Sequence, residues 1–460
     1  MRSYGDILVL GLGRSGVATA RYAARLVASG RATSVTAYDA ASTPQTEQRA
    51  EELRALGVRV ELGSDQVAGD YSLCVASPGI PPHAALMQSA SHRAENVISE
   101  IEFAFIESRQ QWIAVTGTNG KTTTTALIAH LLKTGGVSAR TVGNIGSPAI
   151  AVVAEASDSE VLVAEVSSFQ LSLTRTFHPH VAVLLNVTPD HLDWHGSIEA
   201  YTGDKLRVFA NLDADDLAVI DVDDPGSAAC VETVAQRDVP VARIALSARH
   251  SMGATLIDGV LVLETRGGEV RLCRADELLI RGDHNVSNAL AAAAAAHACG
   301  VGATHLREGL RSFRAIEHRL EPVGCVAGVE WYNDSKATNP DAVLKAVDAF
   351  RERSFVLLLG GRNKGNDFRP LAERLDSDAK AVVLFGESRA ELALAFQGLD
   401  VECVEAVSLA DAVAVASELA SAGDAVVLSP ACASFDEFTS YEHRGSAFKA
   451  LVACIEVNQS

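Results

Sequence analysis

Three times along this chain a short apolar run gives way to a glycine-bearing or polar turn and then to a stretch of helical periodicity, the alternation expected of an α/β sheet. Asp6–Leu10 is the first apolar run; Gly11-Leu12-Gly13-Arg14-Ser15-Gly16 turns the chain, residues 17–29 read as helix, and residues 34–38 form a second strand that runs into Asp39. Strand, glycine turn, helix, strand and terminal acid open a doubly wound, Rossmann-like unit. A further strand end carries glycine at residues 73–79. The pattern restarts near residue 108: Gln111–Thr116 is strand-like, Gly117-Thr118-Asn119-Gly120-Lys121-Thr122 follows, and residues 123–133 are helical. Apolar runs at 161–166 and 181–186 each end in a polar cluster, and a third restart near 315 brings strands at 355–359, 381–385 and 425–428. The economical reading is an α/β protein of three domains in series, 1–107, 108–314 and 315–460. The first is Rossmann-like, the second a P-loop ATPase-type domain on a parallel or mixed sheet, the third Rossmann-like again. The alanine run at 291–296, between Asn288 and His297, reads as the middle of a tightly packed helix.

Chemistry gathers where these strands end. In the loop at 117–122, glycines let the backbone curl so that its N–H groups converge on phosphate oxygens. The helix that follows adds positive potential, and Lys121 supplies a mobile cation. Thr122 can bind magnesium. Val115 stands where the common P-loop has its first glycine, so this is a shorter variant; a glycine turn with a solvated lysine is the lesser alternative. Glu165, in Glu165-Val166-Ser167-Ser168-Phe169-Gln170, ends a strand, and in a parallel sheet a carboxylate there reaches the magnesium of ATP. Taken alone, such a glutamate is more often plain surface. Asn186-Val187-Thr188-Pro189-Asp190-His191-Leu192-Asp193-Trp194-His195-Gly196 is either a polar loop or the surroundings of a second cation. Asn333-Asp334-Ser335-Lys336-Ala337-Thr338-Asn339-Pro340, Gly360-Gly361-Arg362-Asn363-Lys364-Gly365 and Ser429-Pro430-Ala431-Cys432-Ala433-Ser434-Phe435-Asp436 could each be a capped loop. Together the polar strand ends predict one composite site drawn from several domains, with a hinge.

Composition narrows the classes. A chain of 460 residues exceeds one hydrophobic core, and no run of eighteen apolar residues free of charge occurs, so no membrane span is expected. The net charge of −19 opposes nonspecific binding to nucleic acid or anionic lipid, and an anionic ligand must be held by local groups. Residues 1–6 lack the basic and apolar regions of a signal peptide, so a cytoplasmic location is expected. The eight cysteines are scattered with no C-x-x-C pair, which reads as small buried residues of a reducing compartment.

Taken in order, Gly117 to Thr122, Glu165-Val166-Ser167-Ser168-Phe169-Gln170-Leu171, Asn186 to Asp193, Gly282-Asp283-His284-Asn285-Val286-Ser287-Asn288, His318-Arg319 and Asn333 to Asn339 resemble the Mur ligase family across all three domains. The last motif, with Leu428 to Asp436, resembles its D-glutamate-adding branch. The resemblance implies an ATP- and Mg2+-dependent ligase, a monomer, that adds D-glutamate to UDP-N-acetylmuramoyl-L-alanine through an acyl phosphate. That is a step of peptidoglycan precursor synthesis, and so of cell-wall biogenesis, cell shape and division. By the same resemblance Gly13, Arg14, Ser15, Asp39, Ser77 and Gly79, with Asn144 and His191, hold the UDP substrate. Gly117, Thr118, Asn119, Gly120, Lys121, Thr122, Thr123, Asn285, Asn288, Arg319 and Asp334 hold ATP. Lys336, Thr338, Lys364, Ser434 and Phe435 hold D-glutamate; Thr122, Glu165, His191 and Lys205, the lysine as a carbamate, hold magnesium; and Lys121, His191 and Lys205 are catalytic. Read by itself, Lys205 would be a solvated helix lysine. Ala40-Ala41 stand where the family often carries Thr-Arg, so the uridine-side expectation stops at Asp39. Two rivals explain less. A nicotinamide dehydrogenase accounts for residues 11–39 and leaves the phosphate loop unused, while a nucleotide-gated binding protein leaves the third domain's clusters unused. Among ligases, the L-alanine-adding and folyl-polyglutamate enzymes are the near alternatives.

Overall fold

The computed structural model describes residues 2–314, 317–350, 353–363 and 365–459, and among them three sheets follow one another along the chain. The first holds β1 (Asp6–Leu10), β2 (Ser34–Asp39), β3 (Arg59–Leu62), β4 (Leu73–Ala76) and β5 (Val97–Ser99), all parallel, in the order β3-β2-β1-β4-β5. The order reverses between β1 and β4, which opens a crevice beyond their carboxyl ends, where the glycine turn and residues 77–79 lie. Gly16 is fixed by close packing: a Cβ there would stand 1.7 Å from the Gly11 carbonyl oxygen.

The second sheet holds β6 (Gln111–Thr116), β7 (Ala139–Gly143), β8 (Val161–Glu165), β9 (Val181–Leu184), β10 (Leu217–Asp221), β11 (Val241–Ala245), β12 (Gly253–Ile257), β13 (Val260–Thr265) and β14 (Gly268–Arg274). Their order is β14-β13-β12-β11-β10-β9-β6-β8-β7. The strands from β12 to β7 are parallel to their neighbours, and β12-β13-β14 form an antiparallel edge. The third sheet holds β15 (Glu321–Val326), β16 (Val329–Asn333), β17 (Phe355–Gly360), β18 (Ala381–Phe385), β19 (Glu402–Glu405) and β20 (Ala425–Ala431) in the order β15-β16-β20-β17-β18-β19, parallel except for the β15–β16 hairpin. The fold class read from the sequence is the one observed.

Two compact units result: residues 1–278 with 284–313, and 279–283 with 314–460. The first two sheets share one unit because the helix Glu100–Glu107 between them is buried on both sides. Its Phe105 meets Trp112 and Phe177 edge-on at 6.1 and 5.5 Å. Buried Glu102 accepts the backbone N–H groups of Arg175, Thr176 and Phe177 at 3.0, 2.7 and 2.9 Å. Buried Glu100 accepts that of Ile150 at 2.7 Å, and burial pushes its carboxyl up to about 7. The alanine run lies in the helix Asp283–Ala298, buried from Ala289 to Ala296 as its composition predicts, since only methyl groups fit so close a packing. Among the described residues no helix is long and apolar enough to cross a membrane. The cysteine reading needs correction: Cys74, Cys230, Cys273 and Cys432 are buried, whereas Cys325, Cys403 and Cys454 are exposed.

Candidate active site

The phosphate loop leaves β6, which sits between β8 and β9, so the residues beyond those neighbouring strands flank it. On the β9 side Asn186 clamps it: the Asn119 N–H donates to Asn186 Oδ1 at 2.8 Å and Asn186 Nδ2 donates to the Asn119 carbonyl at 3.2 Å. Thr118 Oγ1 accepts the Thr188 N–H at 3.0 Å. Lys121, Thr122 and Thr123 open the helix Lys121–Thr134, and the Lys121 ammonium lies 2.8 Å from the carbonyls of Gly117 and Thr118. Gly120 is required twice, by a φ of +80° and because a Cβ would stand 2.5 Å from Asn288 Oδ1. That same oxygen accepts from Thr124 at 3.2 Å, and Asn288 Nδ2 donates to Asn285 Oδ1, so both asparagines expected near ATP stand beside the start of this helix.

On the β8 side, Val115 pairs with Glu165 across parallel strands, which is the geometry the sequence required. Glu165 is buried; its Oε1 accepts from Asn144 Nδ2 at 2.8 Å and its Oε2 has no hydrogen-bond partner. A buried carboxylate oxygen without a donor is costly, and a hard divalent cation satisfies it. The donor set therefore fits magnesium.

Lys205 lies on the helix Ile198–Leu206 and is 1% exposed, which overturns its reading as a solvated lysine. Its Nζ donates to the Gly117 carbonyl at 2.8 Å and stands 4.4 Å above the Tyr201 ring. Burial, then the neighbouring Lys121 charge, lower it to about 6 against the opposing pull of Asp190. Two lysines share one carbonyl, and burial disfavours the charged form of Lys205. Of the two histidines in the Asn186–Gly196 loop, His191 is exposed, adopts φ +53° and lies 4.8 Å from the Phe169 ring. His195 is packed inside; burial lowers it, with Asp204 opposing. Sequence reasoning counted this second histidine only within a polar loop or the surroundings of a second cation, and gave Tyr201 and Asp204 no role.

In the first sheet's crevice Asp39 braces the glycine turn, accepting the N–H of Leu12 at 2.6 Å and of Ala41 at 2.9 Å. At the Ala40-Ala41 departure the contact observed is this backbone N–H of Ala41 on Asp39. Gly13, Arg14 and Gly79 are exposed and Ser15 and Ser77 half-buried; Arg14 donates to the Gly146 carbonyl at 2.7 Å, next to the Asn144 turn.

In the second compact unit, three polar loops follow the adjacent parallel strands β16, β20 and β17. Asp334 is buried, accepts from Ser429 Oγ at 2.7 Å and the Leu320 N–H at 3.2 Å, and burial pushes it up to about 7 against those bonds and Arg319. The Lys336 ammonium lies 3.9 Å over the Tyr441 ring, Thr338 is half-buried, Ser434 is buried and Phe435 is 60% exposed. Lys364 lies outside the described residues. One residue the sequence did not single out ties these loops together. The guanidinium of Arg444, wholly buried, donates to Ser335 Oγ and the Ser335 carbonyl at 2.9 Å, the Cys432 carbonyl at 3.1 Å and the Gly360 carbonyl at 3.3 Å, one contact set for each loop. Burial lowers it to about 10, so it remains a cation at pH 7. Arg444→Ala, which leaves these acceptors without donors, is expected to destabilise the chain by about 3 kcal/mol or more. Arg444→Lys should recover only part, because an ammonium lacks the planar fork. Thermal unfolding of the full chain reads both; an unchanged melting temperature for Arg444→Ala counts against the clamp.

Comparison with known proteins bears on the chemistry. Residues 115–296 match the Mur ligase middle domain and residues 318–432 the Mur ligase, glutamate ligase domain. The chain is 42% identical to the UDP-N-acetylmuramoylalanine–D-glutamate ligase of Pelotomaculum thermopropionicum over 98% of both chains. It is 40% identical to that of Koribacter versatilis over 97% of this chain and 96% of the other. Among solved structures, MurF ligase of Thermotoga maritima in complex with ADP superposes with a TM-score of 0.58 at 17% identity, covering 86% of this chain and 97% of that one, a likeness of fold.

Proposed function

The chain belongs to the Mur ligase family, and from that premise we propose that it joins D-glutamate to the alanyl carboxylate of UDP-N-acetylmuramoyl-L-alanine, with ATP cleaved to ADP and phosphate, in peptidoglycan precursor synthesis. The observation that carries the ligase chemistry is the phosphate loop flanked by a partnerless oxygen of Glu165 and by the buried amine of Lys205. The choice of substrates rests on the near-full-length relatives. Thr122, Glu165, His191 and Lys205, the last as a carbamate, would hold Mg2+, which neutralises triphosphate charge when bound.

The residues of this chain divide the work as follows. The 117–122 backbone and Lys121 cradle the β- and γ-phosphates while the alanyl carboxylate attacks the γ-phosphorus, and Lys121 offsets charge spreading over the transferred oxygens. The resulting acyl phosphate is attacked by the amine of D-glutamate, and phosphate leaves. Asn285, Asn288, Arg319 and Asp334 complete the ATP set. Gly13, Arg14, Ser15, Asp39, Ser77, Gly79, Asn144 and His191 form the UDP-substrate set, with Asp39 acting through the turn it braces. Lys336, Thr338, Lys364, Ser434 and Phe435 form the D-glutamate set, whose cations answer the two carboxylates in an otherwise acidic protein. The proposal includes a division into three working domains, 1–107, 108–314 and 315–460, and a monomer acting in the cytoplasm, where ATP is supplied.

ADP release with UDP-N-acetylmuramoyl-L-alanine, run against single amino acids of both hands, tests the reaction. Release that depends on D-glutamate is expected, and release driven equally by L-alanine overturns it. In the same assay Ser434→Ala should raise the D-glutamate KM about tenfold, the worth of one lost hydrogen bond to a charged group, and leave the ATP KM unchanged. Equal changes in both constants would remove Ser434 from the D-glutamate set.

A further inference from the structure

We infer that His195 is a positioning residue for Lys205: together with Ser168 and Asp204 it forms a strap that fixes the lysine-bearing helix against the segment following Glu165, holding the Lys205 nitrogen where its carbamate forms. The inference rests on the carbamate role proposed above.

The strap is complete at both ends. His195 has no exposed side-chain surface; its Nδ1 lies 2.9 Å from Asp204 Oδ2 and its Nε2 lies 2.9 Å from Ser168 Oγ. A carboxylate only accepts, so Nδ1 carries the proton, Nε2 is the acceptor, and the Ser168 hydroxyl donates. A neutral imidazole is the side chain that offers one donor and one acceptor on opposite edges of a rigid ring. The ring is also held on its faces, stacked on Phe169 at 5.4 Å and 12° and met edge-on by Tyr201 at 5.1 Å.

Each anchor belongs to a functional neighbour. Ser168 is three residues beyond Glu165 and opens a short helix capped by Ser167. Asp204 immediately precedes Lys205. Tyr201 lies one helical turn before Lys205, under its nitrogen, and its hydroxyl is 3.1 Å from Thr118 Oγ1 of the phosphate loop. The competing partner is Arg207, whose Nε is 3.4 Å from Asp204 Oδ1 and whose side chain is about half exposed. Without His195, Asp204 keeps, among the described contacts, the outward pair with Arg207, Ser168 loses its acceptor, and the turn that carries Lys205 loses its tie to the segment after Glu165, which lets the nitrogen shift on the Gly117 carbonyl.

The step served is the addition of the Lys205 nitrogen lone pair to the carbon of carbon dioxide. An N–C bond forms, one C–O π pair moves onto oxygen, and the nitrogen loses a proton to solvent, giving a carbamate of charge −1. His195 touches neither the carbon nor the nitrogen, so its effect is on geometry, where a displacement of an ångström is enough to cost about 100-fold in rate.

The test compares His195→Phe, which keeps a flat ring between Phe169 and Tyr201 and removes both hydrogen bonds, with His195→Asn, which restores a donor toward Asp204. The protein with Mg2+ and no substrates is titrated with 13C-labelled bicarbonate, and the carbamate resonance is read by NMR beside kcat, the ATP KM and the melting temperature. The wild type should show one carbamate that Lys205→Ala abolishes. His195→Phe should need roughly 10–100-fold more bicarbonate for the same signal and lose kcat by a similar factor, with the ATP KM unchanged, and His195→Asn should recover part of both. Should His195→Phe not fold, Ser168→Ala, which removes only the far anchor, carries the same comparison with a smaller shift in the same direction. Wild-type carbamate occupancy and kcat in a folded His195→Phe or Ser168→Ala protein overturn the strap alone. A wild type with no carbamate resonance at any bicarbonate concentration removes the carbamate reading and the strap with it.

Discussion

Lys121→Ala is expected to lose ATP-dependent ADP release by about a thousandfold while melting at the wild-type temperature. The side chain reaches back onto the carbonyls of Gly117 and Thr118 and is only half-buried, so it belongs to the loop and not to the core. Its removal leaves the strand, the Asn186 clamp and the Asn288–Thr124 bond in place, since none of them uses it. What disappears, on the function proposed above, is a mobile cation at the point where three equatorial phosphoryl oxygens gain charge, an interaction made chiefly in the transition state. Lys121→Arg should be nearly as poor, because a planar guanidinium does not reproduce the compact ammonium that lies 2.8 Å from the carbonyls of both Gly117 and Thr118. ADP release from folded Lys121→Ala at close to the wild-type rate would remove the loop from catalysis.

The parts of this site legible in the sequence are those whose chemistry is local. A glycine turn between a strand and a helix announces its own geometry, and Gly11, Gly16, Gly117 and Gly120 stand where backbone approach or a positive φ demands them. Parallel pairing followed from the alternation of elements, and with it the placing of Glu165 beside the loop. The antiparallel edge β12-β13-β14 was not read, because β12 and β13 are short and nearly uncharged, β14 mixes charged and apolar positions, and strands of this kind are fixed by their cross-strand partners. Arg444 was out of reach for a different reason: its partners at Ser335 and Gly360 are 109 and 84 residues away, and nothing near it in the chain marks it as buried. His195 was noticed only as one of a polar group. Both rings meet Phe169, and their separation in role depends on His191 being exposed while His195 is enclosed between Ser168 and Asp204, which is a property of packing and not of spacing.

Lys205 shows the same limit with the largest consequence. Its neighbours in sequence give a helix lysine, and the family resemblance gave it a carbamate; the structure supplies the physical ground on which the two can be told apart. A lysine that is 1% exposed, shares the Gly117 carbonyl with Lys121 and titrates at about 6 is a neutral amine at pH 7, and a neutral amine is the form that adds to carbon dioxide. An ammonium there would repel Lys121 and any divalent cation held by Glu165, whereas a carbamate would ligate it. In the unmodified protein the folded amine titrates near 6 and the unfolded one near its usual 10.5, so between these values the unfolded chain binds more protons and stability rises with pH; below about 6 a buried ammonium must be tolerated. Lys205→Ala is therefore expected to lose activity by about a hundredfold or more, the scale of removing one charge-stabilising group, and because it also empties the space of a fully buried side chain its melting temperature is read beside the activity. Short carboxylates such as acetate, which return an anionic oxygen to the space left by the side chain, should restore part of that activity in proportion to their concentration. Lys205→Arg should be inactive and beyond such rescue, because it keeps the bulk and a permanent charge that cannot add carbon dioxide. Full activity in Lys205→Arg, measured by ADP release with all three substrates, would return Lys205 to the status of an ordinary buried cation.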